Sequence, residues 1–164
     1  MRTLTDANIK AVAALCISRE LQCAVAESCT GGMLGASFTR LPGASRWFAG
    51  GVVAYDNRIK TQLLGIEPEL LHTHGAVSEQ AARRMAQGVR KLLRVHVAVS
   101  ITGIAGPDGD SPEKPVGFAW IGCALPSAVH ARSFQFQGSR EQVRRAVCAE
   151  ALHYLLAQLR QCPG

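Results

Sequence analysis

Two short apolar runs, Cys23 to Ala26 and Val95 to Ile101, stand between stretches whose apolar residues recur every three or four positions. Runs this short read as buried strands, and the helical-period stretches around them supply the cover they need. This alternation restricts the chain to the α/β class, with a mixed β-sheet flanked by helices in three layers (α/β/α). At 164 residues the chain builds one good core and no second, so residues 1–164 are expected to form a single compact domain. Aromatic residues make up only 5%, and the small residues that dominate instead suit close helix-on-sheet packing better than a sandwich.

The remaining segments fit the same frame. Ile9, Val12, Ala13, Cys16 and Ile17 mark an amphipathic helix over Thr5 to Glu20, capped by Thr5 or Asp6. Gly31 to Leu41 is predicted to be a helix, stopped by Pro42-Gly43. Trp47 to Tyr55 reads as a strand with a bulge or close approach at its two glycines. Asp56 or Asn57 opens a short helix that stops at Gly65, and Pro68 opens another helical turn. Ser78 caps a longer helix to Leu93. A loop is expected from Thr102 to Pro115, then two neighbouring strands, Val116 to Leu125 and Val129 to Phe136. Ser139 and Gln142 have capping-box spacing at the head of a long final helix.

Charge and composition narrow the function. The net charge of +6 favours anionic partners, and a small phosphorylated metabolite satisfies it as well as nucleic acid does. With few aromatics to stack bases, nucleic acid is the weaker reading. The amino terminus lacks the apolar core of a signal peptide, and no stretch of about 18 apolar residues follows, so a cytoplasmic protein without a membrane partner is expected. The six cysteines, Cys16, Cys23, Cys29, Cys123, Cys148 and Cys162, form no C-x-x-C pair and read as reduced, mostly buried thiols. His72 and His74, flanking an expected turn, have no completing ligands nearby, so neither a metal nor another cofactor is expected.

Three segments carry the chemistry. AESCTGG (residues 26–32) lies at a strand-to-helix junction, where a helix starting near Thr30 or Gly31 points free N–H groups back at Ser28, and Gly31 and Gly32 leave room for a ligand. An S-x-T-G-G run more often caps its helix, so a nucleophilic Ser28 needs a base. Lys60 falls in the first turn of a helix, where the macrodipole and burial against Ile59 and Leu63 both lower its affinity for a proton; the competing reading is a solvated lysine. Tyr55 either shares that neighbourhood or is an edge aromatic.

In SITGIAGPDG, Thr102 ends a buried strand beside Gly103 and Gly106, at the edge where α/β sheets bind ligands, or else begins a plain surface loop. Arg140 opens the final helix against its dipole, a placement that an anion relieves; a solvated arginine beside Arg144 and Arg145 is the alternative.

AESCTGG, YDNRIK, HGAVSE, SITGIAGPDG with KPVG, and GSR before the last helix together resemble the CinA carboxy-terminal domain family, whose characterised members include nicotinamide mononucleotide deamidases. The likeness implies a stand-alone serine and lysine amidohydrolase, without a cofactor, that converts nicotinamide mononucleotide to nicotinate mononucleotide and ammonia. Matching positions make Ser28 the nucleophile and Lys60 the base, with Tyr55, Thr102 and Arg140 in support, while the segment readings above place Thr30, Gly31, Gly32, Gly103 and Gly106 around the substrate. A homo-oligomer is expected. The rival readings are a nucleotide-binding or regulatory module without activity and, less favoured, a nucleic-acid binder. Cys29 is a rival nucleophile unless burial silences it.

Overall fold

The computed structural model describes residues 4–109 and 111–161; Cys162 lies outside them. Helix α1 (Asp6–Ser18) leads into β1 (Cys23–Glu27), α2 (Met33–Thr39) and β2 (Phe48–Val53). Three helices follow, α3 (Asn57–Leu64), α4 (Pro68–His74) and α5 (Glu79–Leu92). Strands β3 (Val97–Gly103), β4 (Phe118–Ala124) and β5 (Val129–Gln135) precede the long α6 (Arg140–Gln161). The sheet order is β2-β1-β3-β4-β5, with β2, β1 and β3 parallel and β4 antiparallel to both β3 and β5.

Side-chain size sorts the two faces of the sheet. Cys23 and Val25 of β1 and Val97, Val99 and Ile101 of β3 pack with α1, α2 and α6, whereas Ala24, Ala26 and Ala98 on the opposite face pack with Met85 and Val89 of α5. The small face lets α5 come close. Ser100 Oγ donates to the Ala82 carbonyl of α5 at 2.6 Å, and a β-carbon at Gly122 would stand 2.5 Å from that same carbonyl oxygen. Gly88 of α5 plays the same part toward α3, where a β-carbon would lie 2.1 Å from the Leu64 carbonyl oxygen.

Caps fall where residue chemistry puts them. Thr5, Asp56 and Ser78 accept from the amides of Asn8, Arg58 and Ala81, and Ser139 and Gln142 bond reciprocally in a capping box. Gly65 ends α3 in the left-handed region at φ 65°. The register shifts between Cys23 and Ala24, which pair with Phe48 and Gly50, so β2 carries the expected bulge. His72 and His74 belong to α4 rather than to a turn, because Pro68 sets φ at the start of a helix that runs through both. No described helix is long and apolar enough to cross a membrane.

Candidate active site

Parallel strands β1 and β3 are neighbours, yet the chain leaves β1 toward β2 on one side and reaches β3 on the other. The crevice beyond their carboxyl ends is therefore a switch point of the sheet, where α/β folds take ligands. Ser28 sits there, one residue past β1, its amide donating to the Ile101 carbonyl at 3.0 Å. A cavity of about 250 Å³ opens in front of it, walled by Ser28, Cys29, Lys60, Thr102 and the 103–106 segment, with Tyr55, Asp108 and Arg140 toward the rim.

Lys60 reaches this cavity from the fourth position of α3. It is only 1% exposed, and its Nζ lies 3.3 Å from Ser28 Oγ and donates to the Tyr55 carbonyl at 3.1 Å. Burial holds the ammonium below the ordinary lysine range, while the Asp56 carboxylate and Cys29 work in the opposite direction. A hydroxyl beside an amine predisposed to lose its proton is the arrangement that activates an alcohol as a nucleophile. Cys29 is buried and its thiol is pushed up to about 11, chiefly by desolvation, so it stays protonated near neutrality.

Ser28, Lys60, Tyr55, Thr102, Arg140, Gly103 and Gly106 all border the one cavity, but their contacts differ from those the residue types suggest. Tyr55 holds Lys60 through its backbone carbonyl. Its phenol instead receives Arg140 Nη2 at 3.1 Å, and Arg140 Nη1 donates to the Gly106 carbonyl. Thr102 donates its hydroxyl to the Ala76 carbonyl at 2.8 Å, tying β3 to the segment that enters α5.

The turn after Ser28 corrects a further expectation. Thr30, Gly31 and Gly32 are not part of the cavity wall. Thr30 is fully buried, and Gly31 and Gly32, at φ 61° and 94°, form a left-handed turn, so the helix begins only at Met33. Neither Ser28 nor Thr30 caps it, and its amides do not point at Ser28. The cap is Glu27, 1% exposed, whose carboxylate accepts from Gly32 and Leu34 at 3.1 Å and from Gly35 at 2.8 Å. Arg144 grips the same turn from the other side through the carbonyls of Cys29 and Thr30. The sequence does hold a signal for Glu27, a lone acid closing an otherwise apolar strand, whereas nothing in it distinguishes Arg144 from the basic residues nearby.

A larger groove of about 600 Å³ runs over α3 and α4, lined by Asn57, Arg58 and His72 among others, and lacks both Ser28 and Lys60. Among the described residues no three His, Cys, Asp or Glu side chains converge on a metal-sized space.

Fold and site together define a class: a three-layer α/β domain with a serine and a buried lysine paired at the carboxyl ends of its parallel strands. The family model described as the CinA C-terminal domain matches residues 5–159, and the chain belongs to that family. It is 49% identical over 140 residues to a CinA-like protein of Gemmatimonas aurantiaca, covering 85% of this chain and 33% of that protein. A CinA-like protein of Thermosynechococcus vestitus is 52% identical over 151 residues, covering 90% and 36%. The chain thus spans about a third of the length of these curated relatives. Among solved structures, a CinA superfamily protein from Klebsiella pneumoniae superposes with a TM-score of 0.91 at 29% identity, covering 95% of this chain and 98% of that one. The competence/damage inducible protein CihA from Agrobacterium tumefaciens gives 0.86 at 37% identity, covering 94% and 96%.

Proposed function

We propose that this CinA-family domain is a serine and lysine amidohydrolase that converts nicotinamide mononucleotide and water to nicotinate mononucleotide and ammonia. The observation that carries the reading is the 3.3 Å approach of Lys60 Nζ to Ser28 Oγ with the lysine buried. A protonated lysine there has no lone pair with which to accept the Ser28 proton. Burial favours the neutral amine, which can take it.

In the first half-reaction Lys60 removes the Ser28 proton as Oγ bonds to the carboxamide carbon, and the carbonyl oxygen becomes an oxyanion. The oxyanion collapses, the C–N bond breaks, and the Lys60 ammonium returns its proton to the departing nitrogen, which leaves as ammonia. In the second, Lys60 takes a proton from water, the resulting hydroxide attacks the acyl carbon, and Ser28 leaves with that proton restored. The carboxylic acid product ionises in solution. Because Glu27 occupies the α2 amides, the oxyanion donors in this scheme come from the cavity wall rather than from the helix terminus.

At about 250 Å³ the cavity lies at the small end of ligand sites, which run roughly 300–1,000 Å³, so it suits a pyridine ring with part of its ribose. The phosphate then emerges at the rim beside Arg140. The test is ammonia release from nicotinamide mononucleotide by the parent protein, Ser28→Ala and Lys60→Ala. Activity in the parent and loss of at least roughly a thousandfold in each variant is expected. Equal rates in all three would remove the pair from the mechanism, and tight binding without turnover by the parent would favour the regulatory reading.

A further inference from the structure

Arg144 has no part in the scheme above, yet it makes two hydrogen bonds to the turn that follows Ser28. From the fifth position of α6 it crosses to a turn 115 residues earlier, where Nε donates to the Cys29 carbonyl at 3.2 Å and Nη2 to the Thr30 carbonyl at 2.9 Å. Nη1 donates to the Glu141 carboxylate at 3.0 Å, which steadies the guanidinium, and the side chain is 27% exposed. A fork gripping two successive carbonyls fixes the peptide planes that carry them.

The consequence follows from the geometry of a trans peptide, in which N–H and C=O point to opposite sides of one plane. The plane whose carbonyl belongs to Thr30 carries the Gly31 N–H on its far side, and that group donates to the Ser28 carbonyl at 3.0 Å. The Ser28 carbonyl shares its plane with the Cys29 N–H, which must then point away from the Gly31 contact. Cys29 forms cavity wall directly beside Ser28. A line of polarised groups therefore runs from a cation through two peptide planes to the amide next to the nucleophile, and successive hydrogen bonds in such a line strengthen one another.

We propose that Arg144 is the positioning residue of the oxyanion site: through the Thr30–Gly31 and Ser28–Cys29 peptide planes it fixes and polarises the Cys29 N–H that receives the negatively charged oxygen. It moves no proton and touches no substrate. The inference rests on the reading of Ser28 as nucleophile. It also accounts for an oxyanion donor in a site whose helix terminus is consumed by Glu27.

The experiment uses the full chain and two readouts. One is phosphonylation of Ser28 by a fluorophosphonate, in which Oγ forms a bond to phosphorus, fluoride leaves, and the Ser28 proton passes to Lys60 while charge builds on the phosphoryl oxygen. The other is steady-state deamidation of nicotinamide mononucleotide. Loss of one whole oxyanion donor costs about 100–1,000-fold, so Arg144→Met, which leaves the amide present but unheld, is expected to slow labelling and kcat by roughly 10–50-fold. KM should change less than about twofold, and the pH midpoint should stay in place because Lys60 is untouched. Guanidinium at millimolar concentration should restore part of the rate to Arg144→Ala, which a purely structural role would not allow.

Labelling per folded molecule in Arg144→Met within about twofold of the parent overturns the inference. Should that variant fail to fold, Arg144→Lys decides: a point charge cannot hold both carbonyls as a fork does, so a loss of roughly fivefold or more is expected and parental rates overturn the proposal. A parent protein whose Ser28 is not labelled at all overturns the nucleophile reading itself, which is a separate result from labelled Ser28 indifferent to Arg144.

Discussion

The carboxylate of Glu27 accepts the Gly35 amide at 2.8 Å, so the last residue of β1 caps the helix that follows the residue it precedes. Its second oxygen takes the amides of Gly32 and Leu34. The strand, the turn after Ser28 and α2 are thereby joined at one buried carboxylate, with Ser28 held between strand and helix. Hydrogen bonds to a charged group contribute about 1.5–3 kcal/mol each and are not additive. Glu27→Ala is expected to lower unfolding free energy by roughly 3 kcal/mol or more, read from denaturant midpoints at constant m-value. A loss below about 1 kcal/mol would show that the three bonds are dispensable.

The Lys60 ammonium is disfavoured in the folded protein mainly by burial, and that has consequences for both rate and stability. The rate of amide hydrolysis should rise with pH through a group below the ordinary lysine value of about 10.4. Between the depressed folded value and the unfolded one, the unfolded chain binds more protons, so stability conferred through this group is absent at lower pH and gained as pH rises across that window. Lys60→Met should therefore be more stable than the parent near neutrality, with the difference shrinking as the medium becomes alkaline. Unfolding curves collected across pH 7–10.5 check this, and a constant difference would mean Lys60 is not destabilised as a cation.

Cys29 stands beside Ser28 in the cavity wall, and its protonated, buried thiol makes it a poor nucleophile. Cys29→Ala is expected to keep amidase activity within roughly fivefold of the parent, whereas Ser28→Ala loses it. Trapping the acyl-enzyme and locating the modified residue by mass spectrometry checks the same point directly. Acylation on Cys29 would reverse the assignment.

Gly88 couples the architecture to the site. A β-carbon there would press within 2.1 Å of the Leu64 carbonyl oxygen, at the end of the helix that carries Lys60. Overpacking of this kind costs about 1–3 kcal/mol. Gly88→Ala is expected to lose that much stability and, by pushing α3 outward, at least roughly tenfold of the hydrolytic rate at full occupancy of folded protein. Lost stability with unchanged rate would mean that α3 moves without carrying Lys60 away from Ser28.

Local chemistry made much of the fold legible. Thr5, Asp56, Ser78 and the Ser139–Gln142 pair act on backbone groups two or three residues away, so their identity and spacing suffice to mark helix starts. The bulge in β2 was readable for the same reason, because paired glycines in a β-branched run signal an irregular ladder. The start of α2 was not. Its cap comes from Glu27, the residue before Ser28, rather than from the Ser or Thr that normally serve, and two positive-φ glycines delay the helix to Met33. Residue chemistry raised the pairing of Ser28 with Lys60 but left it open against an ordinary cap and a solvated lysine, and the resemblance of whole motifs favoured it.

By itself the sequence determined the order and kind of the main elements, the α/β core and the starts of the helices that carry their own caps, because propensity, periodicity and capping act over a few residues. Only the tertiary structure decided that Lys60 would be buried against Ser28, that the Tyr55 phenol would face Arg140 rather than Lys60, and that Glu27 and Arg144 would grip opposite sides of one turn. Those contacts join residues up to 115 positions apart, and their strength comes from exclusion of water and fixed geometry, neither of which exists until the sheet and its two helical layers have closed around them.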